Sequence, residues 1–200
     1  MPDLRMPDLR MDRTALLTAT PFWFLRHGET DWNAANLSQG NVDIPLNETG
    51  LAQASSAADK LLGRGIATIV TSPLSRARVT ADYAGKALGL PVALDDGLRE
   101  VSFGVQEGQP MSEWFAHWVD GQMTPHGAEA FAALRERAVA AINRCVAYPA
   151  PVLVVAHGAL FRALRQAMGL EANIRTPNAV PILCQPPAAG QSAWTLHPTA

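Results

Sequence analysis

Short apolar runs alternate along the chain with stretches in which apolar residues recur every three or four positions. Apolar runs of this length predict buried strands, and the periodic stretches predict helices. The expected strands lie at 21–25, 67–71, 92–94, 151–156, 180–184 and 192–197. The expected helices lie at 31–36, 47–62, 75–88, 111–118, 128–147 and 159–168. Because strands alternate with helices, the pattern predicts an α/β fold with a largely parallel sheet.

Three of the expected strands end in polar residues. The first ends in Arg26-His27-Gly28, the second is followed by Ser72 to Arg76, and the fourth by His157-Gly158. Buried strands of a parallel sheet carry ligand-binding side chains at their carboxyl ends. After the first strand, Thr30 and Asp31 supply capping chemistry for a helix start, where anions bind well. The pattern therefore indicates a local anion site at this point of the chain.

The composition narrows the classes of partner. Only 17% of the 200 residues are charged and the net charge is -2, which gives no basic surface for nucleic acid or an anionic membrane. With 48% hydrophobic residues and no apolar run of membrane length, the chain is expected to form a soluble domain. We expect one domain over 21–200, preceded by a flexible extension over 1–20 in which Met-Pro-Asp-Leu-Arg is repeated.

The two cysteines bear on the cellular compartment. Cys145 and Cys184 are too few and too far apart for a disulfide framework or a CxxC metal site. Free, buried thiols in a reducing compartment are expected, which indicates a cytoplasmic protein.

Two histidines, two arginines and a glutamate supply the chemistry of metal-free phosphoryl transfer. The guanidinium groups of Arg26 and Arg76 are suited to bind phosphate oxygens and neutralise their charge. A neutral imidazole, at His27 or His157, is able to attack phosphorus. A protonated carboxyl, at Glu100, is able to give its proton to the leaving oxygen. No metal and no cofactor is needed for this reaction, and the expected partner is a small phosphorylated substrate.

Four segments resemble the ordered motifs of the histidine phosphatase superfamily, whose fold is phosphoglycerate-mutase-like. They are Arg26 to Asn33, Ser72 to Ala77, Leu98 to Gly108, and Ala156-His157-Gly158. The resemblance runs from about Phe22 to the end of the chain and implies a three-layer α/β/α sandwich with a mostly parallel central sheet. It also implies a small helical lid inserted around 105–127.

The resemblance assigns a role to each matching residue. His27 is the nucleophile that becomes phosphohistidine, and Glu100 is the proton donor. Arg26, Arg76 and His157 hold the phosphoryl group. The remaining positions are expected to contact the substrate: Thr30, Asn33, Gln39, Gly40 and Gly158.

Two departures from the family pattern affect the interpretation. Where many members have Pro-Gly-Gly-Glu-Ser, this chain has Pro125-His126-Gly127-Ala128-Glu129-Ala130, so no role is assigned to Glu129. No Lys or Arg occurs between Arg99 and Arg135, although mutase members use basic residues to hold the substrate carboxylate. This absence favours a phosphatase and predicts a preference for apolar leaving groups.

Several alternatives stay open at the level of sequence. Arg78 competes with Arg76, and Glu107 competes with Glu100. A metal site at His27 and His157 is disfavoured because arginines would repel the ion. An apolar stripe formed by Met111, Trp114, Phe115 and Trp118 is either core or the contact face of the lid. The alternative functions are a phosphoglycerate mutase and a non-catalytic phosphate-binding module, and a homodimer is expected from the frequency of dimers among soluble enzymes.

Overall fold

The computed structural model describes residues 16–199, which form one six-stranded sheet with helices on both faces. The strands are β1 (Phe22–Arg26), β2 (Thr68–Thr71), β3 (Val92–Leu94), β4 (Val152–Ala156), β5 (Ile182–Gln185) and β6 (Thr195–Pro198). Their order across the sheet is β3-β2-β4-β1-β5-β6. The first four are parallel, and β5 and β6 are antiparallel. The predicted α/β fold with a mostly parallel sheet is therefore confirmed.

The described residues contain six α-helices. They are α1 (Asp31–Ala34), α2 (Glu48–Leu61), α3 (Ser75–Leu88), α4 (Glu113–Val119), α5 (Phe131–Cys145) and α6 (Gly158–Ala167). Phe22 and Phe24 of β1 belong to the same hydrophobic cluster as the buried faces of α4, α5 and α6. Trp23 and Leu25 point to the other face, where they cluster with α2 and α3. Because alternate residues of one strand meet different helices, the three layers follow from the two-residue period of the strand.

Hydrogen bonds at two predicted helix starts determine where α2 and α5 begin. Asn47 caps α2, since its side chain accepts a hydrogen bond from the Gly50 amide. The prediction that α5 begins at 128 is wrong, because Ala128 forms a bridge to Phe103 and the Glu129 amide donates to Ser102. These residues are extended, and the helix begins at Phe131.

The aromatic stripe lies in the core. Trp118 is fully buried, and Trp114 and Phe115 are 9% and 6% exposed. The Trp118 indole donates to the Glu129 carbonyl at 2.9 Å, and Phe103 stacks edge-on against three rings of this group. Met111 is only partly buried. The burial supports the core interpretation of the stripe, while a closing motion of 105–127 stays a prediction.

The remaining expectations on the fold concern the termini, the thiols and membrane insertion. Residues 1–15 of the predicted extension lie outside the described residues, and Thr18 and Leu16 hydrogen-bond to Asn143 of α5. Cys145 and Cys184 are free and buried, as predicted. Within residues 16–199, no helix has the length and apolar character needed to cross a membrane.

Candidate active site

One cavity of about 110 Å³ opens at the carboxyl ends of the parallel strands. Its wall includes eight of the ten predicted site residues: Arg26, His27, Asn33, Gln39, Gly40, Arg76, Glu100 and Gly158. The other two, Thr30 and His157, are fully buried and are not among the lining residues. Parallel strands place their carboxyl ends at one edge of the sheet, which is why residues so distant in sequence meet here.

His27 is held in one tautomer. Its Nδ1 lies 2.7 Å from the Gly28 carbonyl oxygen, and because a carbonyl only accepts, Nδ1 carries the proton. Among the described residues, Nε2 has no hydrogen-bond partner, so its lone pair is available to the cavity. Burial, followed by the nearby charges of Arg76 and Arg26, lowers the pKa of His27 well below 6.5. The imidazole is therefore neutral at pH 7, as a nucleophile requires.

Arg26 and Arg76 are fixed by backbone carbonyls. Arg26 Nη1 donates to Thr176 at 2.6 Å, while Arg76 donates to Val42 and Gly40, both at 2.8 Å. The Nε atom of each arginine is buried and has no partner among the described residues. Burial lowers the pKa of Arg26 to about 10, so the group stays charged at neutral pH. Two fixed cations with unpaired donors suit a phosphoryl group.

The positions of the two competing arginines, Arg76 and Arg78, favour Arg76 as the phosphate-binding residue. Arg78 is exposed and does not line the cavity, whereas Arg76 is fully buried in its wall. The two residues are two positions apart on α3, so they point to different sides of the helix.

His157 faces His27, and their ring centroids are 5.2 Å apart. Its Nε2 lies 2.7 Å from Ser72 Oγ, and Ser72 Oγ also receives the Leu74 amide. If the hydroxyl donates to Nε2, then Nδ1 carries the proton, and Nδ1 is buried without a partner among the described residues. Burial first, and then Arg76, lowers the pKa of His157 well below 6.5. This ring is suited to donate to a phosphoryl oxygen.

The Glu100 carboxylate is bound by the first backbone amides of α6. Its Oε2 accepts from the Ala159 amide at 2.9 Å, and its Oε1 accepts from Leu160 at 2.9 Å and from Val101 at 3.1 Å. Oε2 therefore keeps a lone pair on which a proton can be carried. Glu100 lines the cavity and is 7% exposed.

Glu107, the alternative candidate for the proton donor, lies outside the cavity wall that contains Glu100. Its Oε1 accepts from the Asn41 and Phe103 amides at 3.0 and 3.1 Å, and it is not among the cavity-lining residues. These bonds tie the loop that carries Gln39 and Gly40 to the loop that carries Phe103. Glu107 is thus a support for the loop whose carbonyl receives Arg76.

The predicted substrate contacts fall into two groups. Asn33, Gln39, Gly40 and Gly158 line the cavity. Thr30 instead caps α1, because its Oγ1 accepts the Asn33 amide at 3.1 Å. A direct contact of these five residues with substrate stays a prediction.

Glu129, to which no role was assigned, is bound elsewhere. Its carboxylate receives two hydrogen bonds from Arg137, at 2.7 and 2.9 Å. It does not line the cavity.

The metal alternative has no support in the geometry, since residues 16–199 contain no group of three His, Cys, Asp or Glu placed to share an ion.

Two further arginines line the cavity wall, Arg162 and Arg175, and neither was predicted from the sequence. Arg162 was accessible from the sequence, because it follows Gly158 by four residues on α6 and so shares its face. Arg175 lies in the loop before β5, and no local pattern marks it. The segment between Arg99 and Arg135 contains no Lys or Arg, and these two further positive charges of the cavity come from α6 and the loop that follows it. The preference for apolar leaving groups stays a prediction.

Ser72 and Asn178 were also missed as supporting residues. Ser72 belongs to a segment that was singled out for Arg76, yet its hydroxyl contacts His157. Asn178 Nδ2 lies 2.9 Å from the His27 carbonyl and 3.2 Å from Asn33 Oδ1. Its contacts span about three quarters of the chain, so only the folded structure reveals them.

Known proteins resemble this chain in sequence and in fold. A protein of Yersinia pestis named probable phosphoglycerate mutase GpmB is 37% identical over 164 residues, which is 76% of each chain. A structure of a mycobacterial glucosyl-3-phosphoglycerate phosphatase with VO3 has a TM-score of 0.78 at 32% identity and covers 89% of this chain and 97% of that chain. The structure of the Thermus thermophilus protein TTHB049 has a TM-score of 0.71 at 27% identity and covers 88% of this chain and 98% of that chain.

The names of these relatives include both a mutase and a phosphatase, so they define a family and leave the reaction of this chain open. The profile of the histidine phosphatase superfamily (branch 1) matches residues 22–181, which contain all the predicted site residues. The chain belongs to the histidine phosphatase superfamily.

Proposed function

We propose that this protein is a metal-independent phosphomonoester hydrolase that acts on a small phosphorylated metabolite through a phosphohistidine at His27. The observation that carries the proposal is the tautomer of His27. Its Nδ1 is occupied by the Gly28 carbonyl, and the ring lies in the wall of a cavity with Arg26, Arg76 and Glu100. The free lone pair on Nε2 is the electron pair that the reaction needs.

The first chemical step transfers the phosphoryl group to the enzyme. His27 Nε2 attacks phosphorus, the P–N bond forms and the bond to the leaving oxygen breaks. Glu100 gives its proton to that oxygen, so the product is a neutral alcohol. Arg26, Arg76 and His157 donate to the three equatorial oxygens and stabilise their charge in the transition state.

The second step returns the enzyme to its starting state. Water attacks the phosphohistidine, and the Glu100 carboxylate takes one of its protons. The P–N bond breaks, inorganic phosphate leaves and His27 regains its lone pair. Since four arginines line the cavity, the charge of the phosphoryl group is balanced by the chain's own residues.

The experiment follows both steps. The enzyme is incubated with a labelled phosphate monoester, quenched, and digested, and the label is mapped. We expect acid-labile, base-stable phosphate on His27 and stoichiometric release of inorganic phosphate in the presence of EDTA. Loss of turnover with EDTA and recovery with Mg²⁺ or Zn²⁺ would overturn the metal independence.

A mutase is the second candidate, because relatives at 37% identity carry that name. The two reactions share the first step and differ in the acceptor of the phosphoryl group. If the phosphohistidine discharges to a second hydroxyl faster than to water, the enzyme is a mutase. If no phosphohistidine forms and phosphate esters still bind, the chain is a phosphate-binding module.

The cytoplasmic location belongs to the same proposal. Cys145 and Cys184 are free and buried, which supports a reducing compartment. The homodimer expected from the sequence stays a prediction.

A further inference from the structure

An ion pair outside the cavity lining contacts the segment that carries the proton donor. The pair consists of Arg137 of α5 and Glu129, whose side chains are 27% and 23% exposed. Arg137 Nε donates to Glu129 Oε1 at 2.9 Å, and Nη2 donates to Oε2 at 2.7 Å. Because the carboxylate is bound at two points, the plane of the guanidinium is fixed.

The third nitrogen of Arg137 binds the backbone next to Glu100. Nη1 donates to the Arg99 carbonyl at 2.8 Å and to the Gly97 carbonyl at 2.9 Å. The Arg99 carbonyl belongs to the peptide unit that joins Arg99 to Glu100. Since a carboxylate holds one side of the guanidinium and the other side holds this peptide, the ion pair restrains the backbone of Glu100.

Glu129 is itself fixed by its backbone. Its amide donates to the Ser102 carbonyl at 2.9 Å, and its carbonyl accepts from the Trp118 indole at 2.9 Å. Trp118 is fully buried in the aromatic core. Ser102 is two residues after Glu100, so residue 129 contacts the chain on the other side of the acid. The segment that carries Glu100 is therefore held both before and after the acid.

The carboxylate of Glu100 is held separately from its backbone. It accepts hydrogen bonds from the first amides of α6, those of Ala159 and Leu160. A proton donor acts only within hydrogen-bond reach of the leaving oxygen, and a displacement of about 1 Å is costly. Contacts at both ends of the side chain are what such precision requires.

We propose that Arg137 and Glu129 are positioning residues for the proton donor Glu100. The inference rests on the proposed function, in which Glu100 protonates the leaving oxygen. Neither residue contacts the substrate, and both act through the peptide between Arg99 and Glu100. Lysine is not expected to replace Arg137, because a single ammonium nitrogen lacks the fork that reaches the carboxylate and the two carbonyls together.

Two leaving groups test the role, since a displaced Glu100 slows only those reactions whose leaving oxygen needs a proton. Arg137→Gln is expected to lower kcat about ten-fold with glycerol 3-phosphate and less than about two-fold with p-nitrophenyl phosphate. Arg137→Lys keeps the charge and should still behave like R137Q. Glu129→Gln should change the ratio of the two kcat values in the same direction by a smaller factor, because the amide oxygen still accepts one N–H.

Arg144→Gln is the matched control. Arg144 lies about two turns further along α5 and also binds a carboxylate through two nitrogens, that of Asp95, at 2.7 and 2.9 Å. Within residues 16–199 it makes no hydrogen bond to the backbone on either side of Glu100. R144Q therefore removes the same kind of pair from the same helix, and the wild-type ratio of kcat values should persist.

The backbone amides of Ala159 and Leu160 report the position of the Glu100 carboxylate without any chemistry. Their proton resonances in the free enzyme are expected to move in R137Q and R137K towards the values found in Glu100→Gln, and to stay unchanged in R144Q. The double variant E100Q/R137Q should lose no more activity on glycerol 3-phosphate than E100Q alone, because the two residues act as a unit.

Equal losses of R137Q on both substrates would overturn the positioning role, as would unchanged Ala159 and Leu160 resonances or an R144Q that alters the ratio as much. Melting temperatures show which variants are folded, and R137K and E129Q carry the same test if R137Q is not. Failure of the proposed function has a different signature, which is wild-type enzyme without label on His27 or an E100Q that slows both substrates equally. The amide resonances then still decide whether Arg137 holds Glu100 in place.

Discussion

The carboxyl ends of β1 and β4 carry the same two residues, histidine and glycine, in two different settings. The strands are parallel neighbours with Arg26 opposite Ala156, and the His27 amide donates to the Ala156 carbonyl at 3.0 Å. At the end of β1, the backbone of the next residue binds His27 Nδ1. At the end of β4, a side chain from the end of β2 lies against His157 Nε2.

The chain that follows each histidine explains the difference. Gly28 packs against the backbone of Gly50 at the start of α2, where a side chain has no room, so the chain turns away and His27 stays in the cavity wall. After His157 the helix α6 begins at once, and a Cβ on Gly158 would lie 3.2 Å from Arg26 Nε. At each histidine the hydrogen-bond partner decides which ring nitrogen is free, and the proposed roles of His27 as nucleophile and His157 as donor depend on that choice.

The largest expected effect on kcat comes from replacing each histidine with alanine. His27→Ala is expected to lower kcat by at least ~10³-fold and to abolish the phosphoenzyme, because the covalent catalyst is gone. His157→Ala is expected to lower kcat by about 10²-fold, the usual loss for one donor to a charged transition state, with label still on His27. Quenched labelling and steady-state kinetics measure both. Label that survives in H27A and vanishes in H157A would reverse the two roles.

Glu100 is in contact with both strand ends. It lines the cavity that contains His27, and its carboxylate accepts a hydrogen bond from the helix that follows His157. Glu100→Gln is expected to cost roughly 10²–10⁴-fold in kcat with alkyl phosphates, since their leaving oxygen needs a proton. The cost should be much smaller with p-nitrophenyl phosphate. Glu107→Gln is the matched control, and equal losses on both substrates in E100Q would assign the acid to another residue.

The two buried histidines also predict a pH dependence of stability. Their pKa values lie well below 6.5 in the fold, so below about pH 6.5 the unfolded chain binds protons that the folded chain does not. The free energy of unfolding should therefore fall as the pH falls through this range, by up to about 1.4 kcal/mol per pH unit from each histidine. Urea unfolding at several pH values measures the slope. The double variant H27N/H157N should flatten it, and an unchanged slope would contradict the neutral imidazoles.

Ser72→Ala is expected to have the smallest effect on kcat, and it tests the role of His157 alone. Removing the hydroxyl leaves Nε2 without its 2.7 Å partner, so the ring is less well oriented towards the phosphoryl oxygens. We expect kcat to fall about ten-fold, the value of one buried hydrogen bond to a polar ring. Ser72→Thr keeps the hydroxyl and should restore most of the activity. A shifted pH profile of kcat in S72A distinguishes orientation of His157 from simple loss of folded enzyme.

Local sequence predicted most of the architecture. The strand from Phe22 to Arg26 is fully buried, and an apolar run of this length has few other folded states. The bounds of α3 were predicted to the residue, because Gly89 adopts the left-handed conformation that ends the helix. The start of α5 was not predicted correctly, because the contact of Ala128 with Phe103 joins residues from different parts of the chain.

For the site, the sequence by itself determined which residues end the strands, and parallel pairing then places Arg26, His27 and the Gly158 region at one edge. Only the tertiary structure decided which nitrogen of the His157 imidazole is free, because Ser72 reaches His157 across 85 positions of the chain. It also brought Arg175 to the cavity, since no local pattern marks that residue. The physical reason is range: strand and helix patterns, and the contact of His27 with Gly28, arise from neighbours in sequence, whereas burial and the contact of Ser72 with His157 arise from neighbours in space.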